Sequence, residues 1–262
     1  MEILNTSKDL GRFFGRLPAA PQRALLLDYD GTLAPFVIDR RRALPYPGVR
    51  ETLARIAAAR RPTHLAIVSG RPIDDLSLLV GVDRVELWGS HGLERMTVEG
   101  SRTREPPPRA GTSLIADIVP WATDRSWGGL LEKKPYGLAI HSRGVPAETF
   151  ERARQAILGR WADIARGLGM EVMEFDGGFE LRPAGAHKGH VVETVASELQ
   201  DGSSVAYLGD DGTDEDAFRA LRDGGLSVLV RFEKRPTAAD AWIRPPEELL
   251  QFLAMWREAV EG

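Results

Sequence analysis

The sequence predicts an α/β protein: a parallel sheet covered by helices on both faces, with an α+β module inserted into it. Three observations predict this. Short apolar strands alternate with helical patterns near the start of the chain. The same rhythm returns near its end. Between the two, strands and long helices come in a different order and close with a hairpin signal.

The elements follow in order. "ALLLDYD" (24–30) is a strand whose apolar run ends in two carboxylates. "PGVRETLARIAAARR" is a helix with Pro and Gly at its start. "THLAIVSG" is a strand, "PIDDLSLLV" a helix and "VELWGSHG" a strand. In the insert, "MTVEGSRTRE" reads as extended, "TSLIADIVPWATD" as a helix, "GGLLEKKPYGLAIHSRG" as extended and "AETFERARQAILGRWADIARGL" as a helix. "MEVMEFDGGFELRP" reads as a hairpin turning at Asp176-Gly177. "REPPPRAG" (104–111) is a Pro-rich loop. Then "HKGHVVETVASEL" is a helix, "SVAYLGDD" a strand, "TDEDAFRALRD" a helix capped by Thr213, and "LSVLVRF" a strand. "PPEELLQFLAMWREAVEG" is a closing helix. The expected division is 1–94 with 184–262 as the core and 95–183 as the insert.

Bulk properties narrow the function. The 262 residues suit one large domain or two modest ones. Hydrophobic residues make up 43% and charged residues 27%, and the formal net charge is −4, so nothing points to nucleic acid or to an anionic membrane. Without cysteine there is no disulfide, thiol nucleophile or thiolate metal site. "MEILNTSKDL" does not read as a signal peptide, and no apolar run approaches transmembrane length, so a cytoplasmic protein is expected.

Three strand ends carry polar clusters: "DYDGT", "SGR" and "GDDGTDED". In an open parallel sheet ligands bind beyond the carboxyl ends of the strands, so these clusters are expected to converge, joined by the lysine of "HKG". Two aspartates, a serine, a lysine and a further acidic group suit phosphoryl transfer through an aspartyl-phosphate. One carboxylate attacks phosphorus, and a second protonates the leaving alkoxide and then activates water. A divalent metal shields the charge, while hydroxyl, backbone N–H and ammonium groups hold the phosphate oxygens.

"LLLDYDGTL", "VSGR", "KG" and "LGDDGTDEDAF", in this order, resemble the four motifs of the haloacid dehalogenase superfamily of phosphatases. The last motif, with "GSHGLE", "LLEKKPYGLAIHSR" and "GGFELRPAGAHKG", is similar to the trehalose-6-phosphate phosphatase family over residues 24–220. The resemblance implies a Rossmann-like core with an α+β cap of the C2 type. It implies Asp28 as nucleophile and Asp30 as general acid/base. It implies Mg²⁺ held by Asp28, the backbone carbonyl of Asp30 and Asp210, with Asp211 and Asp214 close by. Ser69, Gly70, Thr32 and Lys188 would hold the phosphate, with backbone N–H groups of the "DGT" turn. Glu132, Lys134 and Glu180 would bind sugar hydroxyls, and Arg71, His91, His141, Arg143 and Arg182 are further candidates. The implied partner is a small sugar phosphate; the sequence is silent on oligomeric state and compatible with a monomer.

Plainer readings compete at several positions. Asp and Gly are common turn residues, though a carboxylate beside buried Leu27 is costly unless paired or metal-bound. Asp214, Glu215 and Asp216 suit the first turn of a helix. A charged strand face such as that of Glu132 and Lys134 is ordinarily solvated. Trp121, Trp127 and Trp161 read as packing residues, and "DRRR" (39–42) as a solvated loop. The alternatives are another sugar-like phosphate such as glucosylglycerol phosphate, a phosphotransferase or mutase using Asp28, and a non-catalytic sugar-phosphate sensor.

Overall fold

The fold is described from a computed structural model. The structure describes residues 1–106, 109–221 and 224–262. The expected Pro-rich loop at 107–108 and the expected helix end at 222–223 lie outside the described residues.

The chain divides into two units, Met1–Arg104 with His187–Gly262, and Glu105–Ala186. The first opens with β1 (Glu2–Ile3), α1 (Leu10–Arg16), β2 (Arg23–Asp28), α2 (Val49–Ala57), β3 (His64–Val68), α3 (Ile73–Val80) and β4 (Glu86–Gly89). Then come β5 (Glu94–Met96) and β6 (Arg102–Arg104). The second unit holds α4 (Arg109–Thr123), β7 (Leu131–Lys133), β8 (Leu138–His141), α5 (Ala147–Gly167), β9 (Met170–Phe175) and β10 (Gly178–Pro183). The first resumes with α6 (Lys188–Glu198), β11 (Ser204–Gly209), α7 (Glu215–Ala220), β12 (Leu226–Val230), β13 (Ala241–Ile243) and α8 (Glu247–Glu261).

The large sheet runs β1-β13-β12-β11-β2-β3-β4-β5-β6, with parallel pairing from β13 to β4. Every residue of β2 is buried, as a central parallel strand requires, and its side chains alternate between the two faces. Leu25 and Leu27 join the core packed by α1, α2, α3 and α8, including Phe14, Leu53, Leu76 and Trp256. Ala24 and Leu26 face Val191, Val195 and Phe218 of α6 and α7. Each of the three leucines, fully buried, contributes about 1.5–3 kcal/mol. Asp28 shares the parity of Leu26, which sends its side chain to the face where α6 begins.

β2 is also where the strand order reverses. From it the chain builds outward through β3 and β4 on one side and through β11, β12 and β13 on the other. The carboxyl ends of β2, β3 and β11 are therefore adjacent at a topological switch point.

The segment from Arg95 corrects the expected boundary. β5 and β6 pair antiparallel onto β4 and extend the large sheet. They belong to the first unit, and the insert begins at Glu105 and ends at Ala186. The extended pattern of "MTVEGSRTRE" was legible, but its partner strand was not. The expected cap of the helix after β11 also changes. Asp211 caps the 3₁₀ turn before that helix, accepting from Thr213 N at 2.8 Å and Thr213 Oγ1 at 2.6 Å, while α7 itself starts after Asp214 with no side-chain cap. A 3₁₀ turn (Gly212–Asp214) precedes α7.

The second unit is an antiparallel sheet, β7-β8-β10-β9, covered by α4 and α5. Leu138, Ile140, Phe179 and Leu181 pack with Ile118, Ile157 and Trp161. Trp121 lies edge-on to Trp127 and Trp161, with ring centroids 5.9 and 6.2 Å apart, as packing residues. The hairpin turns at Asp176-Gly177, where Gly177 has φ 106°.

Candidate active site

The three strand ends meet around buried carboxylates. Asp28, Asp210 and Asp214 each offer an oxygen, all within 4.8 Å of one another. Lys188, the first residue of α6, donates from Nζ to Asp28 Oδ1 at 2.6 Å and to Asp214 Oδ1 at 2.8 Å. Thr32 Oγ1 donates to the other oxygen of Asp28 at 3.1 Å. The lysine is buried with its partners, and although burial pulls its pKa down, Asp214 and Asp28 outweigh this and hold it charged.

Asp214 is fully engaged. Its Oδ1 accepts from Lys188 and from Tyr207 Oη at 2.6 Å, and its Oδ2 accepts from the backbone N–H of Asp210 and of Asp211, each at 3.0 Å. It therefore holds the turn after β11 and the lysine in one arrangement. Asp211 spends Oδ1 on its cap and stands outside the three-carboxylate cluster.

Asp210 Oδ2 is different: it is buried and has no hydrogen-bond partner among the described residues. Arg231 Nη1 lies 3.9 Å away, beyond hydrogen-bond reach. Burial first, then the charges of its neighbours, push the pKa of Asp210 well up, and burial pushes that of Asp28 up to about 8 against the pull of Lys188. A buried hard oxygen without a hydrogen bond, beside two further carboxylates and with only the Lys188 ammonium bonded among them, fits a metal cation. The cluster can hold a metal ion, with Asp28 and Asp210 as the groups with capacity to spare.

Gly31 shows how closely these groups pack. Its φ is +86°, and a Cβ there would stand 2.3 Å from Asp210 Oδ2. Only glycine fits a "DGT" turn in this place. The Gly31 N–H donates to the Ala34 carbonyl at 2.8 Å.

Asp30 points elsewhere than to the lysine. Both its oxygens are gripped by Arg71, Nε to Oδ2 and Nη2 to Oδ1, each at 2.6 Å. Burial opposes the charge on Arg71, but the pair with Asp30 outweighs it and raises the pKa of the guanidinium. Arg71, expected to touch substrate, is thus bound to the second aspartate. Ser69 follows β3, is buried, and accepts from Arg71 N at 3.1 Å through Oγ. The His91 ring lies against Gly70, with Cε1 2.6 Å from where a Cβ would stand, and Ser90 and His91 both take positive φ. This strained pair is anchored by Ser90 Oγ donating to Glu94 at 2.7 Å.

In the second unit, Glu132 and Glu180 are both opposite Ala139 across the strands, on the face away from the helices. Lys134 pairs with Glu180 at 2.5 Å, and His141 with Glu132 at 2.7 Å. Arg182 pairs with Glu171 at 2.9 Å, and Arg143 bonds the Asp176 carbonyl. Sequence reasoning missed Tyr207 and Arg235 at the first unit's site. The signal for Tyr207 was a hydroxyl inside the apolar run "VAYLG"; Arg235 left none.

The family model for trehalose-phosphatase matches residues 26–242. The chain belongs to the trehalose-phosphatase family. It is 33% identical over 254 residues to the trehalose-phosphate phosphatase of Mycobacterium avium (strain 104), covering 91% of this chain and 63% of that relative. The chain thus spans less than two thirds of that protein's length. The C-terminal domain of Candida albicans trehalose-6-phosphate phosphatase superposes with a TM-score of 0.82 at 23% identity, covering 95% of this chain and 96% of that one. Aspergillus fumigatus trehalose-6-phosphate phosphatase gives 0.67 at 26% identity, covering 96% and 98%. The fold is the α/β fold of the haloacid dehalogenase phosphatases. Among the described residues, no helix is long and apolar enough to cross a membrane.

Proposed function

We propose that this member of the trehalose-phosphatase family hydrolyses trehalose 6-phosphate to trehalose and phosphate through phospho-Asp28, with Mg²⁺ in the Asp28–Asp210 cluster. The observation that carries the reading is the buried Asp28, held from two sides by Lys188 and Thr32, next to the unpartnered oxygen of Asp210. Three carboxylates, against the Lys188 ammonium and the Arg231 guanidinium 3.9 Å from Asp210, make a poor anion site until a divalent cation joins them. Hard oxygen donors suit Mg²⁺, which when bound screens the nucleophile's charge from the phosphate.

An Asp28 oxygen attacks phosphorus, and the ester bond to the sugar oxygen breaks. Asp30 supplies the proton to the leaving alkoxide, releasing trehalose. A water molecule then attacks the phosphorus of phospho-Asp28, Asp30 takes its proton, and the bond to the Asp28 oxygen breaks. Arg71 holds Asp30 by both oxygens and sets its direction. The free proton of the Lys188 ammonium, with the Ser69 hydroxyl and the backbone N–H groups of Thr32 and Gly70, meets the phosphate oxygens. In the second unit Glu132, Lys134 and Glu180 contact the sugar. Glu132 and Glu180 on one sheet face, with Lys134 bonded to Glu180, support this, since such groups match the donors and acceptors of hydroxyls.

The test is a rapid-quench reaction with excess enzyme and ³²P-labelled trehalose 6-phosphate in ¹⁸O water. Label on a peptide containing Asp28, with ¹⁸O in the released phosphate, supports the reading. Absence of the labelled peptide contradicts the covalent path, and phosphate recovered on a second sugar identifies a phosphotransferase.

A further inference from the structure

Beyond β12, the connection to β13 carries a side chain that reaches back to the carboxylate cluster. Arg235 donates from Nε to the carbonyl of Asp210 at 3.2 Å and from Nη2 to the carbonyl of Asp211 at 2.6 Å. The N–H groups of those same two residues are taken from the other side by Asp214 Oδ2. The backbone that presents Asp210 is therefore gripped at both its donors and its acceptors.

Arg235 is itself anchored. Its Nη1 donates to Glu215 Oε1, at 2.5 Å, on the first turn of α7. Glu215 also accepts from Thr237 Oγ1 and from Ala238 N, each at 2.8 Å. Arg235 and Glu215 are mostly shielded from water, with 21% and 13% side-chain exposure, so their bonds face little competition.

We propose that Arg235 is a positioning residue for the metal site. Its planar fork, braced by Glu215, fixes the 210–211 backbone that carries Asp210, whose Oδ2 takes no hydrogen bond among the described residues. This rests on the reading of Asp28 and Asp210 as metal ligands. Among the described residues no hydrogen bond holds Asp210 Oδ2, so the direction of this carboxylate depends on the backbone that carries it. A guanidinium can span two successive carbonyls and a carboxylate at once, which an ammonium on a flexible stem does less well. Groups behind metal ligands commonly change metal affinity by 10–100-fold when removed.

The experiment measures Mg²⁺ binding to the EDTA-stripped full chain by calorimetry, and Mn²⁺ binding by electron paramagnetic resonance, for wild type, Arg235→Gln and Glu215→Gln. Circular dichroism checks that each variant folds. The expected result is a dissociation constant raised about tenfold or more in Arg235→Gln, raised less in Glu215→Gln, and an altered Mn²⁺ spectrum in the former. A folded Arg235→Gln with wild-type affinity and spectrum overturns the proposal alone. If Arg235→Gln does not fold, Glu215→Gln decides by the same criterion. A wild-type protein that binds no divalent cation overturns the metal reading and this proposal with it.

Discussion

Lys188→Met in the metal-free protein tests how the cluster is held. The lysine and Asp28 side chains are each 4% exposed and Asp214 is fully buried, so the substitution strands carboxylates that water cannot reach. Removing one partner of such a pair costs about 3–5 kcal/mol. Asp214 keeps Tyr207 and two backbone donors, but Asp28 keeps only Thr32 among its bonds described above. Near pH 6 Asp28, its pKa pushed up to about 8, is already protonated, so the substitution there strands chiefly Asp214; near pH 8.5 it strands both. The expected loss is therefore about 3 kcal/mol near pH 6 and larger near pH 8.5. For a protein of this size that corresponds to a fall in Tm of roughly 6–12 °C. The assay is thermal unfolding of EDTA-treated wild type and variant at both pH values, followed by circular dichroism. A fall under 2 °C at both would refute the claim that Lys188 neutralises a buried acidic site.

Three further outcomes are expected. Gly31→Ala forces a Cβ into the Asp210 carboxylate at a positive φ and should cost about 1–3 kcal/mol together with most turnover, read by thermal unfolding and phosphate release. Tyr207→Phe removes one of four bonds to Asp214 and should destabilise by about 1–2 kcal/mol, read in urea unfolding, with a loss above 4 kcal/mol contradicting the four-bond account. The raised pKa of Asp28 means the native metal-free protein carries a proton that the unfolded chain lacks between about pH 4 and 8. That stabilisation is complete below the ordinary carboxylate value and is lost as pH rises to about 8. Mg²⁺ has to displace the proton, so its affinity should strengthen from pH 6 to pH 8; calorimetric titration showing no pH dependence would contradict this.

Much of the site was legible in the sequence because each motif ends a strand. Asp28, Ser69 and Asp210 each follow an apolar run, and the strand order brings those ends together. Lys188 was legible as the first residue of a helix, though its two carboxylate partners depend on parity along β2 and on the turn after β11. Tertiary contacts decided the rest. "AWI" (β13) is three residues long and "EI" (β1) two, too short to carry a period, yet they pair with each other at the sheet edge. β5 and β6 joined the large sheet because β4 offered them an open edge, which no local pattern announces. Asp211 and Thr213 are both good caps, and only backbone geometry chose between them. Arg235 reaches the site across 25 residues of sequence, from a loop whose composition reads as solvated surface.

The central claim is tested most directly by phosphate release from trehalose 6-phosphate beside glucose 6-phosphate, glucosylglycerol phosphate and other sugar phosphates, with Mg²⁺ or with EDTA. The account predicts fast, Mg²⁺-dependent release from trehalose 6-phosphate, poor release from glucose 6-phosphate, and loss of turnover in Asp28→Asn. Preference for another ester, or release that persists in EDTA, would contradict it.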